Sequence, residues 1–181
     1  MKEEWDKLLR NLKTNTALGY SQISYEIIKK SSMLMKDLLR RFINILIFFA
    51  ILLNKWSKGI IYPIPKTEDW NLDLTKTRPI TLLECSRKIF FKVLTNRLTE
   101  ILSKHRNVLE NFNYVTLSGC STIKPINILN NIIEDARENK KELWLIFQDM
   151  LKVYDYINRK NLSKSLERIK LPSKFIEIIK N

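Results

Sequence analysis

An α+β fold is predicted by three features of this sequence. Apolar residues recur at helical spacing along most of the chain, and two short extended segments near residues 59–66 and 78–83 are punctuated by prolines. A continuous apolar run, Leu143-Trp144-Leu145-Ile146-Phe147, stands just before Asp149. The first feature gives helices, and the other two give strands. Interspersed in this order they belong to neither an all-α nor an all-β class.

Taken from the N-terminus, Trp5, Leu8, Leu9 and Leu12 space a short opening helix, and Thr14 to Gln22, with Gly19, reads as a loop. From Ile23 to about Leu53 the pattern is helical, with a break near Lys30-Ser31-Ser32. Gly59 to Lys66 reads as a strand ending at prolines, residues 67–77 as a polar turn, and Arg78 to Leu83 as a second extended piece. Ser86 to Lys104 is the clearest helix, with Phe90, Leu94, Leu98 and Ile101 on one stripe. A further helix is expected from Ser121 to Asn139, since Pro125 fits its first turn, with Ile126, Leu129, Ile133 and Ala136 at helical spacing. A buried strand at Leu143–Gln148 follows. Leu162, Leu166 and Ile169 then mark a last helix that Leu171-Pro172 ends.

The 181 residues hold 32 Lys and Arg against 19 Asp and Glu, a formal charge of +13. An excess of that size favours polyanions, because each neutralised phosphate releases condensed counterions. An ordinary basic soluble protein accounts for the same count. Two distant cysteines, Cys85 and Cys120, and one histidine, His105, argue against a zinc site or a disulfide framework, so an intracellular, reducing setting is expected. The longest apolar run, Ile45 to Leu53, is far shorter than the roughly 18–20 residues that span a bilayer. No membrane association is expected.

Asp149 is the first candidate for chemistry. A carboxylate at a rigid strand end can grip a divalent metal against phosphate oxygens, though a helix cap or ion pair explains a lone aspartate equally well. Asp155, six residues on, is its nearest possible partner. Lys66 and Arg78 each stand beside proline at the end of an extended segment, where a stiff backbone can aim a cation at phosphate. Two ordinary surface cations would look the same. The loop from Asn113 to Thr122 leads into a helix whose amides could meet an anion, and a plain cap by Ser121 or Thr122 is the alternative.

Taken together, these segments resemble the reverse transcriptases of non-long-terminal-repeat (LINE-type) retrotransposons. Thr16 to Ile23 is similar to that family's Lys-Ala-Pro-Gly-x-x-Gly-Ile segment, with departures at Thr16, Leu18 and Gln22. Pro63-Ile64-Pro65-Lys66, then Arg78 to Leu83 with Lys88-Ile89, resembles the first fingers motif, and Leu94, Arg97 and Leu98 continue it. Gly119, Ser121 and Thr122 hold the second motif. Asp149-Met150-Leu151-Lys152-Val153-Tyr154-Asp155 is similar to Asp-x-x-Lys-Ala-Phe-Asp.

The resemblance implies a right-hand polymerase, with fingers over residues 1–141 and the start of the palm over 142–181. It implies that Asp149 is the first catalytic, metal-binding aspartate, that Lys66 and Arg78 approach a deoxynucleoside triphosphate, and that Tyr154 is an aromatic gate against a ribose 2′-hydroxyl, with Val153 beneath it in place of alanine. Implied partners are Mg2+, an RNA template, and a DNA primer or RNA–DNA hybrid. No Asp-Asp pair occurs and nothing matches a thumb. A truncated hand lacking palm and thumb segments, inactive alone, is therefore expected. A non-catalytic basic nucleic-acid-binding module is the alternative, and a remnant with an exposed apolar edge is a third.

Overall fold

A computed structural model of the chain describes residues 2–104, 114, 121–150 and 156–180. These form two compact units, residues 1–95 with 171–181, and residues 96–170.

The first unit opens with α1 (Lys2–Arg10), which buries Trp5, Leu8 and Leu9. Next come α2 (Tyr25–Lys30) and α3 (Met33–Phe49). The break expected at Ser31-Ser32 is present, and its cause is capping chemistry. Ser24 Oγ accepts from Ile27 N–H to start α2, and Ser32 Oγ accepts from Met35 N–H to start α3. Two serines side by side let one helix end and the next begin, because a serine hydroxyl satisfies an amide that the helix cannot. α3 ends at Ala50, whose left-handed conformation lets its amide and that of Ile51 return to the last carbonyls.

Two short strands, β1 (Ile60–Pro65) and β2 (Thr77–Leu82), pair antiparallel, with Ile64 opposite Arg78 and Pro63 opposite Pro79. Lys66 N–H donates to Lys76 O at 2.9 Å, so the even-numbered positions form the hydrogen-bonded pairs. Pro63, Pro65 and Pro79 thereby fall in the other set, where a missing N–H breaks no rung. That register reconciles three prolines with a ladder.

α4 (Cys85–Lys104) follows, and its first half carries Cys85, Ile89, Phe90, Val93 and Leu94 into the core. α7 (Ser173–Lys180) packs on α3, with Lys174 Nζ donating to Phe48 O at 3.0 Å and lying 4.3 Å from the centre of the Phe48 ring. This helix was not expected. Pro172 reads as a stop after α6, yet its carbonyl accepts from the amides of Phe175 and Ile176 and so opens α7. Burial raises the pKa of the Cys85 thiol, which leaves it a neutral, packed group at neutral pH.

The loop between α1 and α2 is held against the start of α4. A Cβ on Gly19 would come within 2.6 Å of Glu84 N, so no larger residue fits there. Gln22 stands where the resembling segment has its second glycine, and its φ is 59°. A left-handed residue with a side chain costs roughly 1–2 kcal/mol. Gln22→Gly is therefore expected to raise stability by about 1 kcal/mol, read as a higher urea midpoint at unchanged slope.

The second unit contains the remainder of α4, then α5 (Ile123–Glu138) and α6 (Arg159–Arg168), the latter capped by Asn158 Oδ1 on Lys160 N–H. Among the described residues it buries no apolar side chain fully, and the expected stripe of α5 lies half-buried or exposed. The strand expected at Leu143–Gln148 is absent. Residues 141–150 carry no helix or strand and are all exposed, Trp144 at 87% and Ile146 at 93%. The physical reason is pairing: a strand exists only within a ladder, and the only described ladder is β1 with β2. No described helix is long and apolar enough to cross a membrane.

Candidate functional site

The hairpin of β1 and β2 is where two of the sequence candidates, Lys66 and Arg78, meet. Side chains alternate across a strand, so the register places Tyr62, Ile64 and Lys66 on one face with Ile80, Arg78 and Lys76 from the partner strand and its approach. Lys66 stands opposite Lys76 and diagonal to Arg78, and such diagonal neighbours lie roughly 7–8 Å apart. All six side chains are exposed. Three cations thus gather at the loop end of one apolar face.

Their surroundings leave that charge uncompensated. Among the described residues, none of the three cations has a carboxylate within ion-pair distance. Lys66 Nζ reaches only the carbonyl of Thr75, at 3.3 Å. Like charges directly across a ladder are unfavourable, so this face loses stability unless an anion joins it.

The tip is fixed by its own polar groups. Asp73 Oδ1 accepts from Thr75 N–H at 2.9 Å and from Thr75 Oγ1 at 2.7 Å, and these bonds hold the Asp73 carboxyl below its ordinary pKa. Thr77, only 5% exposed, donates its hydroxyl to Leu74 O at 2.7 Å. Asn71 and Leu72 take positive φ to close the turn. The hairpin therefore presents its cations from a structured end.

Lys76 is the residue that sequence reasoning missed. Nothing in a polar turn marks one lysine above another, but alternation from Arg78 across the closed register would have placed it on the same face.

Asp149 is exposed in the second unit and has no helix or strand beneath it. No group of three or more His, Cys, Asp or Glu among the described residues is arranged to hold a metal. Tyr154, Val153 and Asp155 lie outside the described residues, as do His105, Gly119 and Cys120. Ser121 Oγ accepts from Ile123 N–H at 3.2 Å in a local turn ahead of α5, while Thr122, the N-cap residue, makes no side-chain capping bond.

Comparison with known proteins places these features in a family. Residues 64–181, from near the end of β1 onward, match the reverse transcriptase (RNA-dependent DNA polymerase) family. A probable RNA-directed DNA polymerase from transposon BS of Drosophila melanogaster is 24% identical over 127 residues, which cover 70% of this chain and 14% of that relative. The chain thus spans about a seventh of the length of this curated relative. The matched residues include Ile64, Lys66, Lys76, Arg78 and Asp149 together. The chain belongs to the reverse transcriptase (RNA-dependent DNA polymerase) family.

Proposed function

We propose that this chain is a nucleotide- and template-handling part of a non-LTR retrotransposon reverse transcriptase, with fingers over residues 1–141 and the beginning of the palm over 142–181. One observation carries the reading: Lys66, Lys76 and Arg78 share an exposed face with Tyr62, Ile64 and Ile80, and none of the cations has a described carboxylate partner. Arg78 offers a planar fork to a triphosphate, the two lysines add point charges, and the apolar residues beside them suit a base or sugar. Tyr154 is assigned to the gate against a ribose 2′-hydroxyl, and Asp149 to the first metal-binding position.

The family as a whole works with divalent metal ions. Asp149, exposed and without an acidic cluster among the described residues, does not make up a site for a magnesium pair, since such cations need several charged oxygen ligands. The chain by itself is accordingly assigned binding of an RNA template with its DNA primer, and of a deoxynucleoside triphosphate, without polymerisation. Magnesium-dependent primer extension by the purified 181-residue chain would refute that division.

That Asp149 has no acidic cluster beside it among the described residues favours a second reading, a basic nucleic-acid-binding module with no catalytic part. Fluorescence anisotropy with an RNA–DNA hybrid checks what the two readings share. Binding is expected to survive Asp149→Ala unchanged and to weaken steeply with salt. An affinity indifferent to salt would remove phosphate contact from both.

A further inference from the structure

The hairpin is an arm held at its ends. No residue of β1 or β2 belongs to the core cluster, whereas Trp56 just before it and Cys85 just after it do. What fixes the arm's direction is therefore the pair of joints, and both are tied to residues 84–88. At the incoming joint, Trp56 Nε1 donates to Ser86 Oγ at 3.0 Å and Arg87 donates to Trp56 O. At the outgoing joint, Glu84 accepts from Ser21 N–H at 2.7 Å and from the Ser21 hydroxyl. Lys88 Nζ adds a bond to Ala17 O at 2.8 Å, and Gly19 lies flat against the backbone of Leu83 and Glu84.

We infer that Glu84 is a positioning residue, whose clasp on Ser21 sets the angle at which the hairpin presents Lys66, Lys76 and Arg78. The functional half of this statement rests on the reading proposed above. Leverage makes the clasp matter. A strand of six residues is roughly 20 Å long, so a turn of about 10° at the joint moves the cations by about 3 Å. That displacement equals a whole hydrogen-bond length, enough to take Arg78 out of register with a phosphate. A carboxylate receiving two donors from one serine resists such a turn, because both bonds must lengthen together.

The test reads geometry and binding separately. Spin labels on Asp69→Cys, at the arm's tip, and on Leu34→Cys, on α3, report the arm's position in a chain carrying Cys120→Ser. Binding of inorganic triphosphate is measured on the same chain without labels. Glu84→Ala is expected to widen the distance distribution by several ångströms and to weaken triphosphate binding about tenfold, the scale of one well-aimed charge-assisted bond. Glu84→Gln keeps an oxygen for Ser21 N–H and offers an N–H to the serine oxygen, so it is expected to restore both readouts. Ser21→Ala, in an exposed loop, repeats the loosening if Glu84→Ala fails to fold.

A distance distribution in Glu84→Ala and Ser21→Ala identical to the unaltered chain overturns the inference. If the distances respond while the unaltered chain binds no triphosphate, the clasp stands and the functional reading falls.

Discussion

Phe90→Ala is expected to cost roughly 3–5 kcal/mol of stability, the range for emptying a buried aromatic site. Phe90 is 0% exposed and is the largest fully buried side chain described. Its ring lies 5.3 Å from Trp56 on one side and 5.3 Å from Phe91 on another, the latter edge to face. A domain of this size holds only about 5–15 kcal/mol in total, so the loss takes a large share. Urea unfolding followed by circular dichroism checks it through the midpoint. The consequence reaches the site, because Trp56 anchors the incoming joint of the hairpin through Ser86 and Arg87.

Replacing Lys66 and Arg78 together with alanine is expected to act in the opposite way, on binding and hardly on stability. Both side chains are exposed, and neither has a described ion pair to lose. Removing them also relieves repulsion with Lys76, so stability should stay within about 0.5 kcal/mol. Affinity for an RNA–DNA hybrid should fall by about one to two powers of ten at low salt. The slope of log affinity against log salt should flatten by roughly 0.9 for each phosphate contact removed, on the duplex-DNA scale. Both numbers come from one anisotropy series at several salt concentrations.

Much of the fold was legible because local rules agreed with tertiary packing. The serines at 31 and 32 mark a helix break by capping, and the prolines of the two strands declare short, two-sided edges rather than a central sheet. Phe90 and Leu94 follow helical spacing into the core as expected. The failures have specific causes. Leu143 to Phe147 has the composition of a buried strand, but composition cannot supply a neighbouring strand, and the described residues offer none. α5 has an apolar stripe without a described surface that buries it fully. Pro172 was read as an ending when the same ring suits a beginning.

The candidate site divides in the same way. Lys66 and Arg78 were visible beside their prolines, since a stiff backbone aims a side chain in a way that sequence shows. Lys76, Ser21 and Glu84 were not, because their roles depend on which strand faces which and on a loop 63 residues away in the chain. Gln22 was visible only as a departure from a pattern. Its left-handed backbone supplies the physical content of that departure.

Backbone amide resonances followed while a deoxynucleoside triphosphate is titrated into the whole chain test the hairpin's assignment most directly. Shifts concentrated at Lys66, Lys76, Arg78 and their strand neighbours, absent from α3 and abolished when Lys66 and Arg78 are alanine, are the predicted result. Saturable binding that leaves those resonances still, or that persists undiminished in the double variant, would contradict it.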